Sequence, residues 1–217
     1  MAVSIFYGMT ESGKTYLAEK MIAQFSRAII FDFTGKMNAP EAYITSDFSP
    51  NGIMHLFKKF KDHSSYKIIF RPGRVKDVTA PFNKVAVFAL ALGRAGIKKG
   101  LGERIVLLID EADFVCSSSY QSPELKEVVN VGRHDNVDSW FISRIPQRLH
   151  TDARSNASKI YCFRLTDDSA LGFLRKAIGK KAAEKVKTLN QYSFLHWKDT
   201  GEIFIFDKNQ KQIESWR

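Results

Sequence analysis

A short, mostly apolar run at residues 3–7 leads directly into Gly8-Met9-Thr10-Glu11-Ser12-Gly13-Lys14-Thr15, and an amphipathic stretch continues over residues 14–25. No other feature constrains the fold as tightly. The spacing GxxxxGK[ST] between a strand and a helix makes a loop whose backbone N–H groups converge on a polyphosphate. Its glycines permit the tight turn, and the helix N-terminus adds a partial positive charge. Lys14 then reaches the β- and γ-phosphates, and the Thr15 hydroxyl is the expected Mg²⁺ ligand. The expected nucleotide-binding set is Gly8, Met9, Thr10, Glu11, Ser12, Gly13, Lys14, Thr15 and Tyr16, with ATP and Mg²⁺ as cofactors.

Strand and helix patterns alternate along the rest of the 217 residues. Apolar runs at 28–33, 66–71, 104–110, 137–143 and 159–164 read as strands, with a shorter one at 42–44. Residues 52–60 place Ile53, Leu56, Phe57 and Phe60 on one helical face, and a longer helix is expected over 79–94. Residues 168–187 read as one or two helices, followed by a terminal hairpin at 193–197 and 201–207. This alternation implies an α/β fold with a largely parallel central sheet flanked by helices. Residues 1–165 are the expected core, and 166–217 an extension of basic helices and a β-hairpin packed on it.

The composition, 44% hydrophobic and 26% charged, excludes a disordered chain. The longest apolar run, at 85–92, is too short for the ~18 residues that cross a bilayer, and no signal peptide is expected before the first strand. Cys116 and Cys162 lack metal-ligand spacing and read as buried thiols in a reducing compartment.

At 105–111, Ile-Val-Leu-Leu-Ile-Asp-Glu is an apolar strand ending in two carboxylates. Ligands of parallel α/β sheets gather at the carboxyl ends of the strands. Asp110 is expected to hold the Mg²⁺ shell, and Glu111 to polarise a water for attack on the γ-phosphate. A base beside the metal aspartate favours hydrolysis over transfer to a small acceptor, which requires exclusion of water. Two further residues bracket the strand at 137–143. Gln147 follows it and either orients the attacking water or caps a turn. Arg133 precedes it and either serves a neighbouring subunit's nucleotide in trans or makes a local ion pair.

The phosphate loop (a P-loop), the Ile-Asp-Glu strand and the Gly132-Arg133…strand…Gln147-Arg148 segment together resemble the superfamily of DNA-pumping ATPases that includes FtsK and HerA. The resemblance spans most of residues 3–165 and implies a P-loop NTPase fold of the RecA/FtsK–HerA kind. Beside Lys14 and Glu111, already expected to be catalytic from their own motifs, it implies a catalytic role for Gln147 and an arginine-finger role for Arg133. A finger in trans requires a closed homo-oligomeric ring, a hexamer or pentamer. Two departures stand out: Glu11 occupies a position where a small residue is usual, and Pro146 precedes the glutamine where Thr or Ser is common.

A core that begins at residue 3 of a 217-residue chain is similar to the genome-packaging ATPases of tailless, membrane-containing viruses. That implies a motor pumping double-stranded DNA into a preformed capsid, in the host cytoplasm or on the virion, with a capsid or membrane-vertex protein as a further partner. A HerA-like DNA-processing ATPase would share every motif, and a small-molecule P-loop kinase only the phosphate loop.

A net charge of +10 and a pI near 9.6 suit a polyanionic partner. Arg175, Lys176, Lys180, Lys181, Lys185 and Lys187 gather six cations within residues 175–187. A sequence-blind grip on DNA phosphates would use such side chains. Lys58, Lys59 and Lys61 form a second cluster, and Arg71, Arg74 and Lys76 a third. Each cluster reads equally well as a solvated surface.

Overall fold

The computed structural model describes residues 3–73 and 75–217. Along them run β1 (Val3–Tyr7), α1 (Lys14–Ile22), β2 (Arg27–Phe31), β3 (Tyr43–Thr45), α2 (Pro50–Phe60), β4 (Tyr66–Phe70), α3 (Thr79–Lys98) and β5 (Ile105–Ile109). The two-residue strands β6 (Cys116–Ser117) and β7 (Tyr120–Gln121) follow, then α4 (Pro123–Val131), β8 (Val137–Ser143), α5 (Thr151–Ser155) and β9 (Ala157–Phe163). The chain ends with α6 (Asp168–Ile178), α7 (Lys180–Lys187), β10 (Phe194–Lys198), β11 (Ile203–Phe206) and β12 (Gln212–Trp216).

The central strands are apolar on both faces because both faces are covered. Successive side chains alternate between two cores. Ile5, Tyr7, Ile29, Phe31, Leu107, Ile109 and Phe141 pack with the buried sides of α2, α3, α4, α6 and α7. Phe6, Ala28, Ile30, Val106, Leu108, Trp140 and Ile142 pack with Leu17, Ala18 and Ile22 of α1. Each fully buried Leu, Ile or Phe contributes roughly 1.5–3 kcal/mol, so the strand pattern alone commits the chain to a layered α/β architecture.

Among the described residues, ten strands form one sheet in the order β12-β11-β10-β9-β1-β8-β5-β2-β4-β3. Neighbours from β9 to β3 are parallel. The expected terminal hairpin continues the same sheet: β10 pairs antiparallel with β9, from Phe194 opposite Phe163 to Lys198 opposite Lys159. β12, which has no apolar run to announce it, adds a further antiparallel strand.

Helix boundaries depart from periodicity where caps decide. The 168–187 stretch is two helices because Gly179, at φ 93°, breaks it. α4 was not expected from hydrophobic periodicity. It is started by Ser122, whose hydroxyl accepts the Leu125 N–H at 3.1 Å, with Pro123 in the first turn. Cys116 and Cys162 are free and buried. No described helix is long and apolar enough to cross a membrane.

Candidate functional site

β1 delivers Gly8 to the carboxyl edge of the sheet, and the loop to Thr15 folds back over it. A Cβ at Gly8 would lie 2.7 Å from both Phe163 Cβ and Ser12 Oγ, and one at Gly13 would lie 3.1 Å from the Phe163 ring. Gly13 also adopts φ 106°, a conformation that disfavours any side chain. Lys14 is buried, and its ammonium donates to the carbonyls of Gly8 at 2.8 Å and Met9 at 2.7 Å. Burial pushes its pKa down to about 8, against the opposing pull of the Glu111 carboxylate. Glu11 sits at the exposed tip of the loop with φ 59°. Thr15 is partly buried and Tyr16 is exposed.

β8 lies between β1 and β5, so the end of β8 separates the phosphate loop from the acidic strand end. Asp110 is buried, and its Oδ2 accepts the Thr34 hydroxyl at 2.7 Å. Desolvation raises the Asp110 pKa, and the Glu111 and Asp32 carboxylates add to the rise. The buried Asp110 carboxylate and the Thr15 hydroxyl are hard oxygen donors of the kind Mg²⁺ takes, and among the described residues no group of three His, Cys, Asp or Glu side chains gathers to hold a metal ion. The Lys14 ammonium is electrostatically coupled to Glu111, Arg144, Asp110 and Asp113. Lys14, after β1, and the Asp110–Glu111 pair, after β5, thus lie along one edge of the sheet on either side of the end of β8.

Glu111 adopts φ 45° and turns its carboxylate onto Arg144, the residue that follows β8. Sequence reasoning missed Arg144, although the argument that singled out Gln147 applies to it: it is a polar residue just past the carboxyl end of a core strand. Gln147 lies in a 3-10 turn, Pro146–Arg148. Its Nε2 donates to the Ser169 hydroxyl at 2.6 Å, and its Oε1 is buried without a partner. Arg133 lies before β8, at the sheet end opposite the phosphate loop, exposed and donating to His134 Nε2 at 3.0 Å. The structure does not bring Arg133 to the site of its own chain.

The basic clusters are partly engaged internally. Arg175 pairs with Glu184 at 2.8 Å, Lys185 pairs with Glu214, and the Lys181 ammonium lies 4.3 Å from the centre of the Trp216 ring. Lys176, Lys180 and Lys187 are exposed. In the second cluster Lys61 pairs with Asp62 at 2.6 Å and Lys59 lies over Tyr43. Arg71 is the correction in the third: it is not a free surface cation. Its Nε holds the fully buried Asp32 at 2.9 Å and its Nη2 donates to Met37 O at 2.7 Å, pinning the 32–37 loop beside Asp110. Arg74 lies outside the described residues.

No protein-family model matches the sequence, and no curated protein matches it. Among solved structures the chain is similar to the genome packaging NTPase B204 from Sulfolobus turreted icosahedral virus 2. In complex with ATP-gammaS that protein is 24% identical, with a TM-score of 0.73 and 98% of each chain covered. In complex with AMPPCP it is 21% identical, again with a TM-score of 0.73 and 98% of each chain covered. VirB4 of Thermoanaerobacter pseudethanolicus is 9% identical, with a TM-score of 0.61, over 94% of this chain and 88% of that one. At such identities the likeness is one of fold. The α/β P-loop fold that the sequence resemblance implies is the fold observed.

Proposed function

We propose that this chain hydrolyses ATP to translocate double-stranded DNA, as a genome-packaging motor of a virus. The observation that carries the hydrolytic part is the meeting of Lys14, Asp110 and Glu111 at one edge of the sheet, across the end of β8. The loop N–H groups and Lys14 bind the triphosphate. Mg²⁺ held by Thr15 and Asp110 would supply neutralisation of the phosphate charge. Glu111 accepts the proton of the attacking water once it leaves Arg144, and the Gln147 amide orients that water after release from Ser169. Arg133 faces away from its own site, so it completes the site of a neighbouring copy in a hexameric or pentameric ring.

The packaging role is supported by the fold likeness, which covers 98% of both chains, to a protein described as a genome packaging NTPase. A net charge of +10 suits a DNA partner. Lys176, Lys180 and Lys187, with Arg175, Lys181 and Lys185 beside them, would grip phosphates without reading bases. Residues 1–165 act as the motor core and 166–217 as an extension working with it through the β9–β10 pairing. The motor works in the host cytoplasm or on the virion, docked on a capsid or membrane-vertex protein.

The test is ATP hydrolysis with and without double-stranded DNA, alongside the solution mass. A ring whose hydrolysis is stimulated by DNA of any sequence is expected. A DNA-indifferent monomer that phosphorylates a metabolite overturns the proposal.

A further inference from the structure

Asp32 and Asp110 follow neighbouring parallel strands at the same level. Phe31 of β2 lies opposite Ile109 of β5, and the Asp110 N–H donates to the Phe31 carbonyl at 3.0 Å. Two carboxylates set side by side away from water repel one another unless each is separately engaged. Asp32 is fully buried and both of its oxygens are taken. Its Oδ1 accepts the Lys36 N–H at 3.2 Å, and its Oδ2 accepts the Met37 N–H at 3.1 Å and the Arg71 Nε–H at 2.9 Å. The chain itself neutralises Asp32, which leaves Asp110 as the carboxylate of the pair that can serve a ligand.

The Thr34 hydroxyl stands between the two. Its oxygen lies 2.7 Å from Asp110 Oδ2 and 3.3 Å from Asp32 Oδ1. A hydroxyl carries one hydrogen, and the shorter contact takes it, so Thr34 donates to Asp110.

The loop that delivers this donor is held at several points. Gly35, at φ 72°, turns the chain back so that the N–H groups of Lys36 and Met37 reach Asp32. Met37 is fully buried on the α1 side of the sheet, and the Asn38 N–H donates to Glu19 Oε1 of α1 at 2.6 Å. The Phe33 ring stacks on Phe114, 4.5 Å away, in the turn that follows Glu111. Thr34 itself is exposed, so core packing does not call for a threonine there.

We infer that Thr34 is a positioning residue for Asp110, an inference that rests on the reading of Asp110 as a Mg²⁺ ligand. A donor on one carboxylate oxygen fixes the rotation of the group and presents its remaining lone pairs in one orientation. Mg²⁺ demands near-ideal octahedral geometry, so a ligand left free to rotate binds it less well. The same bracket keeps Asp32 out of competition for the ion, because Arg71 and two backbone N–H groups hold it in place.

The test measures ATP-gammaS affinity for the full chain in Mg²⁺ and in EDTA, the ratio being the gain that the metal confers. Thr34→Val keeps the branched shape and removes the hydroxyl. It is expected to cut the gain about tenfold, the effect of removing a hydrogen-bond partner from a metal ligand, and to leave affinity in EDTA unchanged. Thr34→Ser restores the hydroxyl and should recover the gain. A merely structural threonine would lower the urea midpoint of Thr34→Val and leave the gain intact. That result overturns the inference, as does a gain that stays lost in Thr34→Ser. Asp110→Asn separates the two readings. If it loses the gain while Thr34→Val keeps it, the inference alone fails. If Asp110→Asn keeps the gain, Asp110 is not the ligand of the metal and the inference falls with it.

Discussion

Arg144 clasps the Glu111 carboxylate through its Nε, 2.9 Å from Oε1 and 3.1 Å from Oε2, and through its Nη2, 2.6 Å from Oε1. The Glu111 side chain is 12% exposed and that of Arg144 50%. A carboxylate whose lone pairs are taken by a guanidinium fork is a poor acceptor for a proton from water. An arriving γ-phosphate offers Arg144 a competing anion. On the proposed role of Glu111 as the base, the clasp restrains it until nucleotide draws Arg144 away. Arg144→Ala should raise hydrolysis in the absence of DNA about fivefold, the equivalent of the ~1 kcal/mol of a half-exposed ion pair. Steady-state rates with and without DNA check it, and a fall in the basal rate would contradict the restraint.

Glu111→Gln keeps the size of the side chain and removes the base. Turnover should fall by about 10²–10⁴ while ATP still binds, because the phosphate cradle of Gly8–Thr15 is untouched. Lys14→Ala removes the cation within the cradle and should abolish both binding and turnover. Calorimetric titration alongside a phosphate-release assay separates the two variants.

Arg133 is exposed at the far end of the sheet from its own phosphate loop. Inactive Arg133→Ala and Lys14→Ala chains should therefore regain hydrolysis when mixed, since an intact loop can then face an intact arginine across a subunit boundary. Mixing that restores nothing would assign Arg133 a local structural role.

Glu11 carries a negative charge at the tip of the phosphate loop, held at φ 59°. Glu11→Gln leaves the backbone and size alone and removes the charge. ATP affinity should tighten several-fold at low salt, an effect of about 1 kcal/mol for a charge in a high-dielectric setting. The gain should shrink as salt is raised, because the interaction is exposed to screening.

His196 stacks on Tyr161, ring centres 4.4 Å apart, and its Nε2 is buried without a partner. Burial, with help from Lys159 and Lys198, pushes its pKa down to about 4. In the unfolded chain an imidazole titrates near 6.5. Between these values the unfolded state binds the proton and the folded state does not. Stability is therefore whole above about pH 6.5 and declines as pH falls toward about 4, by up to roughly 3 kcal/mol. His196→Phe should remove that share of the decline. Urea midpoints at pH 7.5 and 4.5 for both chains measure it.

The phosphate loop and the acidic strand end were legible because their chemistry is local. Gly8, Gly13, Lys14 and Thr15 act through fixed spacing, and β1 and β8 announce themselves as apolar runs with the bounds later observed. α4 was hidden because its buried side is carried by three residues, Leu125, Val128 and Val129, and its start by a cap. Arg71 looked like a surface cation because a sequence does not display that Asp32, 39 positions away, lies fully buried beside it.

Residue types and spacing by themselves determined a glycine-rich loop between strand and helix, a carboxylate pair at a strand end and a layered α/β sheet, because those follow from backbone geometry and burial within a few consecutive residues. Tertiary structure alone decided that Arg144 pairs with Glu111 and that Tyr192 and the 208–210 turn stand beside Gly13. Strand order sets those neighbours: β8 enters between β1 and β5, and β10–β12 add to the edge at β9, through long-range pairings that no local pattern encodes.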